Sequence, residues 1–218
     1  MCGFLLVLSK EPTDHTDFIK SSLHKLRSRG PDQRDFKSFL DNRVWLAHTR
    51  LSINDFSSSG LQPMISSLGN AIVFNGEIYN FRDLANRFNL RDLLRSKTDT
   101  EVFLLLLEKF GLQKSLSLIK GMFAFAFFDK KKRTISLAND LFGEKPLYFY
   151  KDENGAFWPY SVCTFKFTSI RLGGNLVVRL IGKNSLALEA TSGSLTIGSN
   201  LKADGSDAIA DLGGIGLL

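Results

Sequence analysis

The chain opens Met1-Cys2-Gly3-Phe4-Leu5-Leu6-Val7-Leu8. From Phe4 to Leu8 no polar residue interrupts the run, the pattern of a strand covered on both faces. Such a strand needs one layer above it and another below. The apolar stretches Val44 to Ala47 and Asn70 to Phe74 read as further short buried strands. Phe123 to Phe128 and Thr134 to Ala138 flank the charged run Lys130 to Arg133 and read as a β-hairpin. Helices supply the outer cover. Asp14 to Arg29 sets Phe18, Ile19, Leu23 and Leu26 on one side before Gly30-Pro31 stops it. Asp99 to Phe110 is the clearest helix: Thr98 can cap it, Glu101 holds the capping-box position, and Gly111 ends it. Strands, then helices, then strands again predict an α+β domain with antiparallel sheets and helices on the outer faces.

Composition narrows the class. With 218 residues, 44% of them hydrophobic and 23% charged, the chain is long enough for one substantial domain and unlike a disordered protein. Its 19 phenylalanines read as core filling. Two cysteines, Cys2 and Cys163, make no disulfide framework and cannot alone hold zinc, which favours a reducing compartment. The net charge of +6 is scattered and lacks an aromatic-and-basic recognition pattern, so nucleic acid is not an expected partner. No apolar stretch approaches the roughly 18–20 residues that cross a bilayer, and Gly3 to Leu8 is too short for a secretory signal. A cytoplasmic location is expected, with no membrane partner.

Near Trp158 the texture changes. Helical patterns stop, and short β-like pieces such as Asn175 to Ile181 and Ser194 to Ile197 alternate with Gly, Ser and Asn, until a Gly-rich end from Asp204 to Leu218. The sequence therefore divides into a domain over 2–157 and a divergent β-rich tail over 158–218.

Cys2 is the first candidate for chemistry. Once Met1 is excised the thiol belongs to the terminal residue, and the freed α-amine, with a pKa of roughly 7.7–8.0, can serve as its general base through a water. An amine on the nucleophile's own residue takes the place of the histidine in a triad. Asn75-Gly76, read alone, is the central pair of a type I′ turn. Asp99, read alone, is a dipole partner in a first helical turn. His48 reads as structural, Arg29 and Asp32 as fold supports near the nucleophile, and Tyr79 and Asn80 as buttresses of an Asn75-Gly76 turn.

A series of motifs changes the weight of those readings. Met1-Cys2-Gly3-Phe4 is followed by Arg29-Gly30-Pro31-Asp32, His48-Thr49-Arg50-Leu51-Ser52-Ile53, Gln62-Pro63-Met64 and Phe74-Asn75-Gly76-Glu77-Ile78-Tyr79-Asn80. Thr98-Asp99-Thr100-Glu101, Gly121-Met122-Phe123-Ala124-Phe125-Ala126 and Gly143-Glu144-Lys145-Pro146-Leu147-Tyr148 complete it. In this order and spacing the chain resembles the glutaminase half of glutamine-dependent asparagine synthetases, a class II glutamine amidotransferase, over about residues 2 to 150.

The resemblance implies a four-layer αββα sandwich of the N-terminal-nucleophile class and a cysteine nucleophile at Cys2. It implies an oxyanion hole from the Asn75 side-chain amide and the Gly76 backbone N–H. Arg50 would grip the α-carboxylate of L-glutamine, Glu77 and Asp99 would receive its α-ammonium, and the backbone of Leu51, Ser52, Ile53 and Asn54 would line the pocket. No cofactor or metal is implied for this half; ATP and Mg²⁺ would belong to a synthetase partner or domain that receives the ammonia, and a homodimer is compatible with the class. Thr49, Asn139 and Leu141 depart from the family's pattern, and the Ser-Gly-Gly-x-Asp-Ser pyrophosphate loop of the synthetase half does not occur in the sequence. Two rivals remain at this level: a non-catalytic glutamine-binding module, and a truncated or fused product.

Overall fold

All six residues of the first strand, β1 (Gly3–Leu8), are buried, as the unbroken apolar run predicts. The structure is a computed structural model that describes residues 2–53, 55–151, 157–160, 177–181, 188–191 and 194–197. The expected helix over 14–29 is shorter, α1 (Thr16–Lys25). The Asp14 carboxylate accepts the Thr16 N–H at 2.9 Å, forming a turn ahead of the helix, and residues 26–28 tighten into a 3-10 turn. The chain then runs hard against β3 (Val44–Arg50): a Cβ on Gly30 would sit 2.3 Å from the Thr49 carbonyl carbon.

Between them lies β2 (Gln33–Phe39), which sequence reading did not anticipate. It is half-exposed and mostly polar, so it carries no apolar run. The chain continues through β4 (Met64–Ile65), β5 (Ala71–Ile78), the short helix α2 (Phe81–Arg87) and α3 (Asp99–Leu118). Gly111 does break α3, with φ +74, but helical turns resume after it as far as Leu118. Thr98 caps the helix through its hydroxyl, which accepts the Glu101 N–H at 3.3 Å. The Glu101 carboxylate does not return the bond to Thr98. It accepts instead from the N–H groups of Arg95 and Ser96, at 2.9 and 2.6 Å.

The expected hairpin is β6 (Gly121–Asp129) and β7 (Thr134–Asn139). Short strands β8 (Tyr148–Lys151), β9 (Phe157–Tyr160), β10 (Val177–Ile181), β11 (Leu188–Thr191) and β12 (Ser194–Ile197) follow. The first sheet has the order β2-β3-β1-β9-β8 and the second β12-β11-β10-β7-β6-β5-β4. The expectation of purely antiparallel sheets needs one correction, because β10 lies parallel to β7. The Gly-rich stretch 204–218 lies outside the described residues.

Period-2 alternation sorts the strand residues into faces. Phe4, Leu6, Leu8, Val44 and Leu46 of the first sheet meet Ala71, Val73, Ala124, Ala126, Phe128 and Leu137 of the second in one core between them. The opposite face of the second sheet, with Phe74, Phe123 and Phe125, packs on Val102, Phe103 and Leu106 of α3. Leu5, Val7 and Trp45 on the outer face of the first sheet pack on Ile19 and Leu23 of α1.

Candidate active site

The same alternation carries the core rows to one end of the space between the sheets. On β1 the row Leu8, Leu6, Phe4 points onward to Cys2, and on β3 Val44 and Leu46 are followed by His48 and Arg50. On β5 Ala71 and Val73 are followed by Asn75 and Glu77. A cavity opens there, lined by Cys2, Arg50, Asn75, Gly76, Glu77 and Asp99 among others. Leu51 and Ile53 also line it. Ser52 does not; its N–H donates to the Asp32 carboxylate at 2.7 Å. Asn54 lies outside the described residues.

Cys2 sits at the sheet end with its Sγ accepting the Leu51 N–H at 3.4 Å. Arg29 Nε donates to the Cys2 carbonyl at 3.1 Å. Arg29 and Asp32 thus hold the segments around the thiol, as expected of fold supports. Burial pushes the Cys2 thiol above its ordinary value and the Asp99 charge adds to this, against the opposing pull of the Leu51 hydrogen bond and of Arg50. A thiol held that way needs a base to ionise it.

Arg50 is buried, and its guanidinium is fixed by the protein: Nη1 donates to the Gln33 side chain and to the Ser57 carbonyl at 2.7 Å, and Nη2 to the Asp55 carbonyl. Among the described residues these bonds use three of its five N–H groups. Gly60 packs so closely that a Cβ there would meet Nη2 at 2.2 Å.

The edge of β5 is the informative feature. β4 covers only Ala71 and Ile72, so among the described residues the strand beyond has no neighbour on that side. Backbone groups of Phe74, Gly76 and Ile78 face this open edge, since in an antiparallel ladder alternate residues point away from the partner strand. The Phe74 N–H is taken by Gln62 Oε1 at 2.6 Å, and the Ile78 N–H by Asp99 Oδ2 at 2.8 Å. Among the described residues the Gly76 N–H between them has no partner. Asn75-Gly76 is therefore strand, and the type I′ turn is excluded. Gly76 is required there because a Cβ would meet the Met122 carbonyl at 2.2 Å. Tyr79 and Asn80 accordingly buttress no turn. Asn80 instead clamps the exit of α3, its side chain donating to the Leu118 carbonyl at 3.0 Å and accepting the Lys120 N–H at 2.9 Å.

The family described as "Glutamine amidotransferase domain" matches residues 1–164. The chain belongs to that family. An asparagine synthetase [glutamine-hydrolyzing] of Bacillus subtilis (strain 168) is 34% identical over 154 residues, 68% of this chain and 24% of the relative. A protein of Methanocaldococcus jannaschii named as an asparagine synthetase [glutamine-hydrolyzing] is 36% identical over 206 residues, 84% of this chain and 36% of its own length. The chain thus spans about a third or less of these curated relatives. A solved glutamine phosphoribosylpyrophosphate amidotransferase from B. subtilis, complexed with ADP and GMP, shares the fold. Its TM-score is 0.61 at 21% identity, covering 73% of this chain and 42% of that one.

Within this amidotransferase domain the remaining candidates fall into place. Asp99 is buried, and burial pushes its carboxyl above the usual range, with the Glu77 charge adding to the effect. Glu77 and Asp99 thus bring two neighbouring carboxyl groups to the cavity lining. His48 is fully buried with Nε2 on the Phe74 carbonyl at 3.1 Å, and burial pulls its pKa down to about 3. It is neutral and structural, a tie between the two sheets. Sequence reading missed Gln62, Gly60, Asp55, Thr98, Thr100, Met122 and Lys145 in the lining. Most lay inside the quoted motifs without a role; Asp55 carried no motif at all. Among the described residues no group of three or more His, Cys, Asp or Glu side chains could hold a metal, and no helix is long and apolar enough to cross a membrane.

Proposed function

We propose that the cavity hydrolyses L-glutamine to L-glutamate and ammonia through a thioester on Cys2. The observation that carries this reading is the Gly76 N–H beside Asn75, which has no partner among the described residues and shares a cavity with the Cys2 thiol. A free N–H at a strand edge costs stability unless something accepts from it, and a tetrahedral oxyanion is such an acceptor.

The reaction runs as follows. Removal of Met1 frees the Cys2 α-amine, which takes the thiol proton through a water. The sulfur attacks the side-chain carbonyl carbon, and the oxyanion rests between the Asn75 amide and the Gly76 N–H. The protonated amine returns its proton to the leaving nitrogen, and ammonia departs. Water then attacks the thioester, giving glutamate and the free thiol. Arg50, with its remaining N–H groups, receives the α-carboxylate, and Glu77 with Asp99 receives the α-ammonium. No cofactor is needed for these steps.

The two packed sheets with helices on both outer faces support assigning a four-layer αββα sandwich of the N-terminal-nucleophile class. The names of the relatives support delivery of the ammonia to an asparagine-forming synthetase partner or domain, where ATP and Mg²⁺ would act; a cytoplasmic homodimer is our further reading. The test is the mass of the mature N-terminus combined with glutamate release from glutamine. Retained Met1 with no glutamate formed would remove the proposal.

A further inference from the structure

We infer that Lys145 is a further residue of the hydrolytic site, its ammonium stabilising the negative charge that develops on the glutamine side-chain carbonyl; this rests on the glutamine-hydrolysis reading above. Lys145 is 5% exposed and lines the cavity together with Cys2. None of the ion pairs among the described residues involves it. A buried lysine without a counter-charge is costly, which suits a group whose partner arrives with the substrate.

Its place follows from strand register. Tyr160 of β9 pairs with both Leu5 of β1 and Tyr148 of β8, each antiparallel. β8 therefore runs parallel to β1 two strands away, with Tyr148 level with Leu5. β8 begins at Tyr148, so Lys145 stands three residues before it, in the segment that enters the strand at the Cys2 end of the sheet. The loop that delivers it is built by Asp140, whose carboxylate accepts the N–H groups of Phe123, Phe142, Glu144 and Lys145 at 2.9–3.1 Å. These bonds hold the Lys145 backbone and leave its side chain to the cavity.

Charge matching then assigns the partner. The α-carboxylate of glutamine is met by Arg50 and the α-ammonium by Glu77 and Asp99. The additional cation lines the same cavity as the thiol, and at the reacting carbonyl the ground-state amide is neutral and only the tetrahedral species is negative. An interaction made with the transition state and not with the substrate appears in kcat rather than in KM. A lysine stem that merely fills space would show no such split.

Lys145→Met preserves the stem volume, and the Asp140 bonds go to backbone and survive. With the full chain, kcat should fall about 10–100-fold while KM for glutamine stays within about threefold. The aldehyde analogue of glutamine provides an independent readout. The Cys2 thiol adds across its C=O, forming the S–C bond as the carbonyl π bond breaks and the proton passes to oxygen. Its inhibition constant should weaken by a factor similar to the loss in kcat, whereas Lys145→Arg keeps most of both. Wild-type turnover together with an unimpaired Lys145→Met, or equal losses in kcat and KM with a lowered Tm, overturns the inference alone. Absence of wild-type turnover would remove the hydrolysis reading, and this one with it.

Discussion

Asp99 Oδ2 accepts the Ile78 N–H at 2.8 Å, joining the first turn of α3 to the end of β5. The other carboxylate oxygen accepts the Thr100 N–H, also at 2.8 Å. That oxygen also accepts from the Thr100 hydroxyl at 3.4 Å, whereas Oδ2 keeps a further lone pair, so the group that closes the strand edge beyond Gly76 can also accept from a ligand. On the proposed reading, one side chain fixes the frame of the oxyanion donor and also receives the substrate's cationic end.

The pH dependence of binding follows from Asp99. Its folded carboxyl is raised above 3.8, mainly by burial and then by Glu77. It stays protonated to higher pH than an exposed carboxyl, and only the ionised form attracts an ammonium. kcat/KM for glutamine should therefore rise with pH through an acid limb centred above the ordinary carboxylate value. The sign for stability is opposite: a raised carboxyl contributes most when protonated, and that contribution is lost as pH climbs through the folded pKa. Asp99→Asn should raise KM and erase the limb, and it should lower Tm, because its NH2 must face either the Ile78 or the Thr100 N–H that a carboxylate oxygen now accepts. A limb that survives in the Asn variant would reassign it away from Asp99.

Replacing the nucleophile separates chemistry from binding. Cys2→Ala should abolish glutamate formation while glutamine still raises Tm, because the groups assigned to binding lie on other residues. Cys2→Ser should turn over far more slowly than the wild type, a hydroxyl being the weaker nucleophile at neutral pH. Near-normal hydrolysis by the Ala variant would end the thioester mechanism.

How much of this could be read from residues alone varies element by element. Phe4 to Leu8 was legible because a two-sided strand leaves an unbroken apolar run, and Cys2 then followed by parity into the inter-sheet space. β2 was not, because Gln33–Phe39 is half-exposed and has no buried row. α2 spans only seven residues, too few for a periodic signal. Asn75-Gly76 has the composition of a turn but lies in a strand, because its glycine answers a close approach of β6 and not a positive φ. Lys145 was quoted in a motif yet given no role, since only the fold brings it into one cavity lining with Cys2.

Arg50 and Asn75 should fail in different ways. Arg50→Lys keeps the charge but loses the planar fork that bonds Gln33, Ser57 and Asp55 while presenting its remaining N–H groups. KM for glutamine should rise, with kcat changed little. Asn75→Ala removes one oxyanion donor, and kcat should drop by roughly 10²–10³-fold with a smaller change in binding. Steady-state kinetics on both variants checks this; a common kinetic profile would contradict the separation of roles.

Gly76→Ala tests whether the open strand edge depends on the close approach of β6. In the register Gly76 lies opposite Phe123, and an added Cβ would stand 2.2 Å from the Met122 carbonyl and 2.6 Å from the Phe123 Cα. Both are backbone atoms of the central strand β6, so no side chain can swing aside. β5 would have to move away from β6, breaking ladder bonds beside a buried core. The cost should reach several kcal/mol, in the range about 3–5 kcal/mol of severe core changes, and lower Tm by many degrees. Gly111→Ala is the control. Unlike Gly76, Gly111 has a positive φ, +74, which a non-glycine residue must be forced into, but a Cβ there meets nothing within 4 Å. Its loss should be limited to the backbone term of about 1–3 kcal/mol. Equal melting temperatures for the two variants would show that the β5–β6 approach tolerates a side chain, and that the edge is not held where the Gly76 N–H must stand.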